Sequence, residues 1–394
     1  MKALKLNAKL EPRPNGYIDN IEIHTRKIKN ASFAWRYPKI SLVDVPIPKL
    51  GINDVLLKVK ACGICGSDSL LSQNDEEGYT LFYGETKLPV ILGHEFSGEV
   101  VEIGSKVIDI NVGDKVTADQ LLWCGSCLPC RKGLFNNCER VEGVGITRNG
   151  AFSEYIALPD HYCWKINKLK DVYENENDLY EAGALTEPAA VAYNALFNRG
   201  NLFPGAYLVA FVGGPKWFIY CFIGIAMAKR AGAGKIIIFD LGTEDLSERK
   251  KLMEKLGADY VFNAQDNKKN LNINKTIKEL TDGEGADIIW DNSGKLNIVI
   301  PEMGKSLAIN GTYVQSARLT NPYPVDMDML QLRMGQLAGS EGHVGKSIMP
   351  NVIRLMASGL DLTPVITKRY KFENILAAFE DAKSYYNGKI MIKI

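Results

Sequence analysis

The sequence predicts an α/β protein of two parts, a mostly-β unit followed by a unit with a doubly wound parallel sheet. Two observations support this division. Up to about residue 165, short strand-like runs are interrupted by glycine and proline. After Glu181, apolar runs recur at regular intervals, and helical stretches of about ten residues separate them.

Three runs define the mostly-β unit. Residues 55–61 alternate weakly between apolar and polar positions, and residues 96–104 form a second candidate strand. Residues 113–116 follow a short turn and predict a third strand. These runs together indicate a barrel-like unit with loops.

The α/β unit begins with an alanine-rich stretch of helical period at residues 182–196. Beyond it, strands alternate with helices, which indicates βαβ units and a parallel sheet. The predicted strands are residues 207–212, 235–240, 260–263, 286–291 and 311–314, and predicted helices among them are 247–256 and 271–280. A further helix is predicted at residues 349–356, and a terminal strand at 389–394.

Composition limits the classes of partner. The chain has 394 residues and a net charge of +1, which gives no reason to expect nucleic acid or an anionic membrane. Its longest apolar run, residues 217–228, is shorter than the roughly 20 residues of a membrane span, so we expect a buried helix. The N-terminal stretch lacks the features of a secretory signal, and we therefore expect a cytoplasmic protein.

Four of the eight cysteines are clustered, namely Cys124, Cys127, Cys130 and Cys138. Two-residue spacers allow adjacent thiolates to converge on a tetrahedral zinc ion at about 2.3 Å. A closed set of four thiolates leaves no open coordination position, so we expect a structural zinc that staples a long loop. The alternatives are four unrelated buried thiols or an iron–sulfur cluster, for which a different spacing is usual.

Three other segments carry metal-binding groups. They supply the thiolate of Cys65, the imidazole of His94, and the carboxylates of Glu95 and Glu187. This mixed set is the one that an open catalytic zinc uses. Such a zinc can accept a substrate oxygen and lower the pKa of its hydroxyl, so that hydride can leave the carbon.

Each segment also has a simpler interpretation. Cys62 and Cys65 together have the spacing of a redox pair. A lone His94 is compatible with an ordinary core histidine, and Glu187 before proline is compatible with the start of a turn or a helix. The zinc interpretation therefore depends on the three segments meeting in the fold.

Taken in order, these motifs resemble the zinc-containing medium-chain alcohol dehydrogenase family over nearly the full length of the chain. The matching landmarks are Gly63-Ile64-Cys65-Gly66-Ser67-Asp68, Gly93-His94-Glu95, the four-cysteine segment, Glu187-Pro188 and the closing residues 388–394. The resemblance implies a GroES-like catalytic domain at residues 1–190, completed by residues 345–394. It also implies a Rossmann domain at residues 191–344.

The resemblance carries implications for the ligands. It implies that Cys65, His94 and either Glu187 or Glu95 bind the catalytic zinc, and that Cys62 does not. Two zinc ions per chain, NAD as cofactor and a homo-oligomer, either a dimer or a tetramer, follow from the same resemblance. A glutamate rather than a cysteine at position 187 is similar to the polyol and threonine dehydrogenase branch.

The dinucleotide-binding loop departs from the family pattern. A Rossmann strand normally leads into a G-x-G-x-x-G loop, whose glycines allow close approach to the pyrophosphate at a helix N-terminus. Here the strand leads into Gly213-Gly214-Pro215, and the third glycine position holds Trp217 or Phe218. Either the aromatic ring blocks the usual pyrophosphate pose, or a shifted loop turns it into the core and Lys216 contributes charge to the phosphates. The following helix is also predicted to be about one turn longer than is usual in the family.

Asp240 supports a retained cofactor site. It closes the predicted strand 235–240, where an acidic residue hydrogen-bonds the adenosine ribose and disfavours a 2′-phosphate. This position favours NAD over NADP. The alternative is that Asp240 is an ordinary loop residue.

The residues expected to transfer the proton include a second departure from the family pattern. Ser67 is placed to take the alcohol proton, and Asp68 is a candidate acceptor that orients His94. The family commonly has a histidine where this chain has Leu70, and leucine cannot relay a proton. The proton is therefore expected to leave through ordered water, or through Glu95 if that side chain does not bind zinc.

The substrate class follows from the resemblance and from polar segments. The polar and aromatic segments of the chain, taken together, are similar to those of a subgroup that acts on inositol-derived ring ketones. We therefore expect the substrate to be a polyol or a cyclitol of the scyllo-inosose kind. Polar side chains such as Glu77, Glu341 and His343 suit a substrate with many hydroxyls, or are solvated loop residues. The alternatives are an L-threonine or sorbitol-type dehydrogenase, and a cofactor-defective zinc-binding homologue with a ligand-binding role.

Overall fold

The computed structural model describes residues 1–14, 18–242, 246–264, 271–318, 322–384 and 388–394, with the side chains of residues 214–217 outside the described part. The chain divides into two compact units. The first comprises Met1–Glu187, Val344–Tyr385 and Lys389–Ile394, and the second consists mainly of Pro188–His343. The first unit is therefore discontinuous in sequence, and the second is inserted into it.

The N-terminal part of the first unit consists mainly of short strands. They are β1 Lys2–Leu10, β2 Lys27–Ile28, β3 Trp35–Asp44, β4 Asp54–Gly63, β5 Thr86–Lys87, β6 Val90–Ile91, β7 Glu95–Ile103, β8 Lys115–Ala118, β9 Leu121–Leu122, β10 Glu142–Gly143, β11 Tyr155–Pro159 and β12 Cys163–Lys165. Its helices are α1 Asn20–Thr25, α2 Gly66–Ser72, α3 Leu128–Arg131 and α4 Glu176–Ala184, and α5 Thr186–Tyr193 begins where this part ends.

The second unit alternates strands and helices. Its strands are β13 Tyr207–Val212, β14 Lys235–Asp240, β15 Tyr260–Asn263, β16 Ala286–Asn292, β17 Leu307–Gln315 and β18 Gln336–Gly339. Its helices are α6 Gly214–Arg230, α7 Ser247–Leu256, α8 Ile273–Leu280, α9 Leu296–Ser306 and α10 Met327–Arg333. The chain then returns to the first unit with α11 Ile348–Ala357, β19 Ile366–Lys371, α12 Ile375–Ala382 and β20 Lys389–Lys393.

A seven-stranded sheet forms the centre of the first unit. Its strands follow the order β12-β8-β7-β4-β20-β19, and β11 also pairs with β4. The apolar core of this unit includes Leu57 and Phe96 of the sheet and Phe152 from a loop, each with at most 1% of its surface exposed. Full burial of such a side chain contributes roughly 1.5–3 kcal/mol. The sheet therefore rests on an apolar core and holds the ends of β4 and β7 in fixed positions.

The second unit is a doubly wound parallel sheet. Its strand order is β15-β14-β13-β16-β17-β18, and each neighbouring pair is parallel. The order reverses between β13 and β16, and in such sheets ligands bind at the carboxyl ends of the strands beside this switch point. The predicted α/β class and the predicted sheet are therefore confirmed.

Helix α6 is buried from Phe218 to Ala228. Cys221, Phe222 and Ile223 have no exposed surface, as the apolar run 217–228 predicts. Among the described residues, no helix has the length and apolarity needed to cross a bilayer.

One predicted helix is interrupted. Residues 182–196 fall into the end of α4, the whole of α5 and the start of a π-helical segment, Asn194–Arg199. Pro188 lacks the amide hydrogen that a continuous helix would bond to the carbonyl of Ala184. The break after Ala184 places Glu187 in the first turn of a new helix.

Candidate active site

Asp68 connects the segments of the predicted metal site. Cys65 is the N-cap of α2, and its backbone amide donates to Oδ2 of Asp68 at 3.0 Å. The other carboxylate oxygen accepts from the backbone amide of Gly93 at 3.2 Å and lies 3.8 Å from Nδ1 of His94. Asp68 is completely buried. The structure thus brings Cys65 and His94 together through one carboxylate.

Three buried donors converge beside Asp68. The ligand atoms of Cys65, His94 and Glu95 all lie within 4.8 Å of one another. A thiolate, an imidazole and a carboxylate at this separation fit a zinc ion with an open position. Glu187 is also buried and interacts electrostatically with His94 and Glu95, although it is not in this 4.8 Å group.

The electrostatics of these donors fit a divalent cation. Burial lowers the pKa of His94, but the nearby Asp68 and Cys65 outweigh burial and raise that pKa to about 10. Burial raises the pKa of Glu187 to about 8, although the charge of His94 opposes the shift. The shifts reflect acidic groups crowded in a site with little solvent, a crowding that a zinc ion would relieve.

Lys389 contacts the carboxylate of Glu95. Its ammonium group donates to the two oxygens of Glu95 at 2.6 and 2.5 Å and to the carbonyl of Ile64 at 3.1 Å. Both side chains are buried, with exposed fractions of 3% and 0%. Any role of Glu95 as a metal ligand or a proton acceptor must therefore compete with this ion pair.

Ser67 lies beside the same donors. Its hydroxyl is 3.5 Å from Nε2 of His94. The hydroxyl therefore lies within reach of a substrate oxygen placed at the donor group.

The four-cysteine segment forms a separate group. The sulfur atoms of Cys124, Cys127, Cys130 and Cys138 all lie within 4.8 Å of one another. The sulfurs of Cys127 and Cys138 are 3.8 Å apart. A tetrahedron with zinc–sulfur bonds of about 2.3 Å has edges of about 3.8 Å, so the spacing fits zinc.

The surroundings of Cys124 favour its thiolate form. Hydrogen bonds from the backbones of Ser126 and Cys127 lower the pKa of Cys124 to about 5. The guanidinium of Arg140 also donates to this sulfur at 3.4 Å. Metal binding requires the thiolate form, and these contacts favour it.

The predicted dinucleotide loop is described in part. Gly213 is the N-cap of α6, and a Cβ atom there would lie 2.8 Å from Cα of Ser293, so only glycine fits. The predicted contacts of Gly214, Pro215, Lys216 and Trp217 concern side chains outside the described part. Phe218 is 5% exposed and its ring centroid lies 5.4 Å from that of Phe222, which agrees with an aromatic turned into the core.

Asp240 lies at the end of β14 in a buried ion pair. Its Oδ2 accepts from Nε of Arg249 at 2.8 Å and lies 2.7 Å from Nη2 of the same guanidinium, and its Oδ1 accepts from the amide of Gly242 at 2.8 Å. The guanidinium of Arg249 lies 5.0 Å from the ring of Phe218. The ribose contact assigned to Asp240 remains a prediction, since the carboxylate is completely buried and already holds these partners.

Sequence reasoning missed two charged residues of these sites. Lys389 belongs to the closing segment that carries the family resemblance, but its contact with Glu95 spans 294 positions. Arg249 lies nine residues after Asp240 in an otherwise charged helix, and no pattern separates it from the exposed lysines that follow. Both pairings depend on tertiary structure.

Comparison with known proteins defines the class. Residues 51–168 match the family described as alcohol dehydrogenase GroES-like domain, and residues 222–358 match the family described as zinc-binding dehydrogenase. The first match covers the donors Cys65, His94 and Glu95 and the four cysteines. The second covers most of the parallel sheet.

Relatives that match nearly the whole chain support the same class of protein. The chain is 37% identical to scyllo-inosose 3-dehydrogenase of Thermotoga maritima, with 100% of this chain and 99% of the relative covered. It is 34% identical to an L-threonine 3-dehydrogenase of Streptomyces avermitilis, covering 90% and 96%. The protein belongs to the zinc-containing alcohol dehydrogenase family, whose members are oxidoreductases that use zinc and a nicotinamide cofactor.

Solved structures show the same fold. A putative alcohol dehydrogenase from Thermotoga maritima superposes with a TM-score of 0.93 at 36% identity, and both chains are covered completely. The 2R,3R-butanediol dehydrogenase of Bacillus subtilis gives 0.76 at 26% identity, covering 93% and 98%. The GroES-like and Rossmann architecture predicted from sequence is therefore confirmed.

Proposed function

We propose that this protein oxidises a secondary alcohol of a polyol or cyclitol and passes the hydride to NAD. The buried convergence of Cys65, His94 and Glu95, with Ser67 beside it, carries the proposal. The full-length similarity to a scyllo-inosose dehydrogenase supports the substrate class. In this assignment residues 1–190 with 345–394 form the catalytic domain, and residues 191–344 bind the dinucleotide.

The bound groups and the side chains have separate roles. Zinc supplies Lewis acidity that lowers the pKa of an alcohol, and NAD accepts hydride. The hydroxyl of Ser67 would take the proton of the substrate hydroxyl and pass its own proton to ordered water. Asp68 orients His94, and the buried surroundings exclude water from the donors.

We assign Cys65 and His94 as protein ligands of the catalytic zinc, with Glu187 or Glu95 as the third. Glu95 remains the alternative third ligand, but it would have to give up part of its contact with Lys389. A separate structural zinc is assigned to the four cysteines. Zinc content of Glu187→Gln and Glu95→Gln variants distinguishes the two carboxylates, because only the ligand's loss removes one ion.

The central test is cofactor binding followed by a substrate panel. The zinc-loaded protein is titrated with NADH while the reduced-nicotinamide fluorescence is followed. Polyols, cyclitols and L-threonine are then screened with NAD by absorbance at the nicotinamide band. We expect NADH binding and turnover of a cyclitol or polyol. Failure to bind either nicotinamide nucleotide would overturn the dehydrogenase proposal.

Two alternative functions each have a specific observation in their favour. Threonine oxidation is favoured by the similarity to L-threonine 3-dehydrogenases, and turnover of L-threonine but no polyol would select it. A cofactor-defective, ligand-binding role is favoured by the buried Asp240–Arg249 pair, which occupies the predicted ribose acceptor. Zinc binding without nucleotide binding would select that role.

We also propose a homo-oligomer, a dimer or a tetramer. Strand β18 is at the edge of the parallel sheet, and Leu337 on it is 45% exposed. Nearby in sequence, Leu332 and Met334 are 83% and 70% exposed. An exposed apolar edge strand is a surface on which a second chain pairs.

A cytoplasmic location accompanies the proposal. All eight cysteines are free of disulfides, and four of them form the group that fits zinc. Thiols of this kind persist in a reducing compartment.

A further inference from the structure

Asn292 is a buried polar side chain that the family assignment does not explain. It ends β16 and has 1% of its surface exposed. Neither its Oδ1 nor its Nδ2 has a hydrogen-bond partner among the described residues. A buried carboxamide without partners is costly, so a ligand that supplies them would be bound with a corresponding gain.

The position of Asn292 is beside the switch point of the sheet. It pairs in register with Val212, the last residue of β13, and Gly213 follows directly. The neighbouring Ser293 lies against Gly213 so closely that a Cβ would not fit there. Asn292 is thus at the carboxyl end of the strand across the crevice from the start of α6.

The face of the sheet is set by strand alternation. Trp290 and Asn292 are two residues apart and therefore lie on the same face of β16. The ring of Trp290 lies directly against Gly224 of α6. Helix α6 runs antiparallel to the strands that it connects. Asn292 therefore lies closer than Trp290 to the N-terminus of α6. The carboxamide is therefore near the first turns of that helix, whose free amides favour a pyrophosphate.

The neighbouring residues do not satisfy the carboxamide. The adjacent Asp291 accepts from Ser293 and from the hydroxyl of Tyr313 at 2.7 and 3.0 Å. The indole of Trp290 donates to Ser316 at 2.8 Å. Each neighbouring polar side chain on the strand has its own partner, and Asn292 differs from them.

We propose that Asn292 binds the nicotinamide half of the dinucleotide, through a ribose that presents hydroxyl groups. A dinucleotide across the switch point places its two halves over opposite sides of β13. Asp240 lies on the β14 side, and Asn292 lies on the β16 side. A ribose diol both donates and accepts hydrogen bonds, so it satisfies both atoms of the carboxamide. This inference rests on the proposed use of NAD.

The test compares Asn292→Leu with a matched control. Leucine has nearly the same size but no polar atoms. Asn177→Leu is the control, because Asn177 is an exposed residue of α4 in the first unit, outside the parallel sheet. NADH binding is measured by nicotinamide fluorescence on the full-length zinc-loaded proteins, and ADP-ribose and AMP are measured by competition. Thermal unfolding without nucleotide is recorded for each protein.

We expect Asn292→Leu to raise the Kd for NADH and ADP-ribose roughly tenfold and to leave AMP binding unchanged. Its unfolding temperature without nucleotide should equal or exceed that of the wild type. Asn177→Leu should leave all three affinities unchanged.

Unchanged NADH affinity in Asn292→Leu would overturn the inference. A drop of several degrees in its nucleotide-free unfolding temperature would also overturn it, because the carboxamide would then be satisfied within the protein. An equal loss of affinity for AMP would show that Asn292 contacts the adenosine half of the dinucleotide, which would contradict the assignment. If the wild type binds no NADH, the proposed function fails, and this inference fails with it.

Discussion

The buried acidic side chains of the candidate sites are each held by a different kind of partner. Asp68 accepts from two backbone amides, Glu95 faces the ammonium of Lys389, and Asp240 faces the guanidinium of Arg249. An uncompensated buried charge would cost several kcal/mol, so each partner is needed for the fold as well as for the site. Lys389 and Arg249 are therefore expected to tolerate substitution poorly.

A first prediction concerns Cys65. Cys65→Ser should reduce the zinc content from two ions per chain to one and abolish alcohol oxidation, because the thiolate ligand is lost. Cys62→Ser is the matched control, since Cys62 is buried three residues away but is not in the donor group. Metal analysis and activity assays on both proteins provide the measurement. Two retained zinc ions in Cys65→Ser would show that the ligand assignment is wrong.

A second prediction concerns Asp119, which is 3% exposed and accepts from the indole of Trp164. Burial raises the pKa of Asp119 from 3.8 to about 7, and the hydrogen bond only partly opposes this. Between these values the folded state keeps a proton that the unfolded state releases. Stability therefore falls as the pH rises through this window, and the penalty is complete above it.

Asp119→Asn cannot ionise and still accepts from Trp164. It should stabilise the protein at about pH 8 by up to about 4 kcal/mol, with a smaller gain at about pH 5.5. Denaturant unfolding at the two pH values, with the same zinc concentration, measures the difference. An equal effect at both pH values would contradict the titration.

At the scale of elements, the parallel sheet was predictable because buried strands are continuous apolar runs. Residues 207–212, 235–240 and 260–263 are strands with the predicted bounds. The strand predicted at 311–314 is longer, Leu307–Gln315, because polar residues within it hide its start from an apolar pattern. Strand β18 has one exposed apolar residue, Leu337, and no alternation that marks a buried face.

The part of the candidate site that lies in short sequence motifs could be predicted from the sequence. The donors Cys65 and His94 lie in motifs of a few residues, and the structure brings them together. The contacts of Glu95 with Lys389 and of Asp240 with Arg249 were not predictable, because they form only when distant elements pack. Asn292 shows no pattern at all in the sequence, since a strand-end asparagine is common in loops and turns.

The four-cysteine element allows a third prediction. Cys127→Ser should lose one zinc ion and lower the unfolding temperature by about 5 °C or more, because metal binding contributes folding free energy here. Cys163→Ser is the control, since Cys163 lies outside both donor groups. Calorimetry with metal analysis tests both proteins. A Cys127→Ser protein with unchanged stability would argue against a structural zinc.

At the scale of the whole molecule, the fourth prediction concerns assembly. Leu337→Glu should place a charge on the edge strand β18 and shift the protein towards the monomer, because an edge charge opposes strand pairing. Leu376→Glu is the control, since Leu376 in α12 is 44% exposed, almost the same as Leu337. Light scattering after size-exclusion chromatography gives the mass of each. A wild-type monomer would contradict the proposed oligomer.

The return of the chain to the first unit has a consequence for biosynthesis. Strand β20 pairs with β4 beside Cys62 and Gly63, and its Lys389 holds the carbonyl of Ile64 from 325 positions away. A ribosome therefore produces Cys65 long before the strand that braces the segment around it. The nascent chain carries Cys65 next to an open sheet edge until β20 emerges. The contacts around this donor group are accordingly complete only after the inserted parallel sheet has been synthesised.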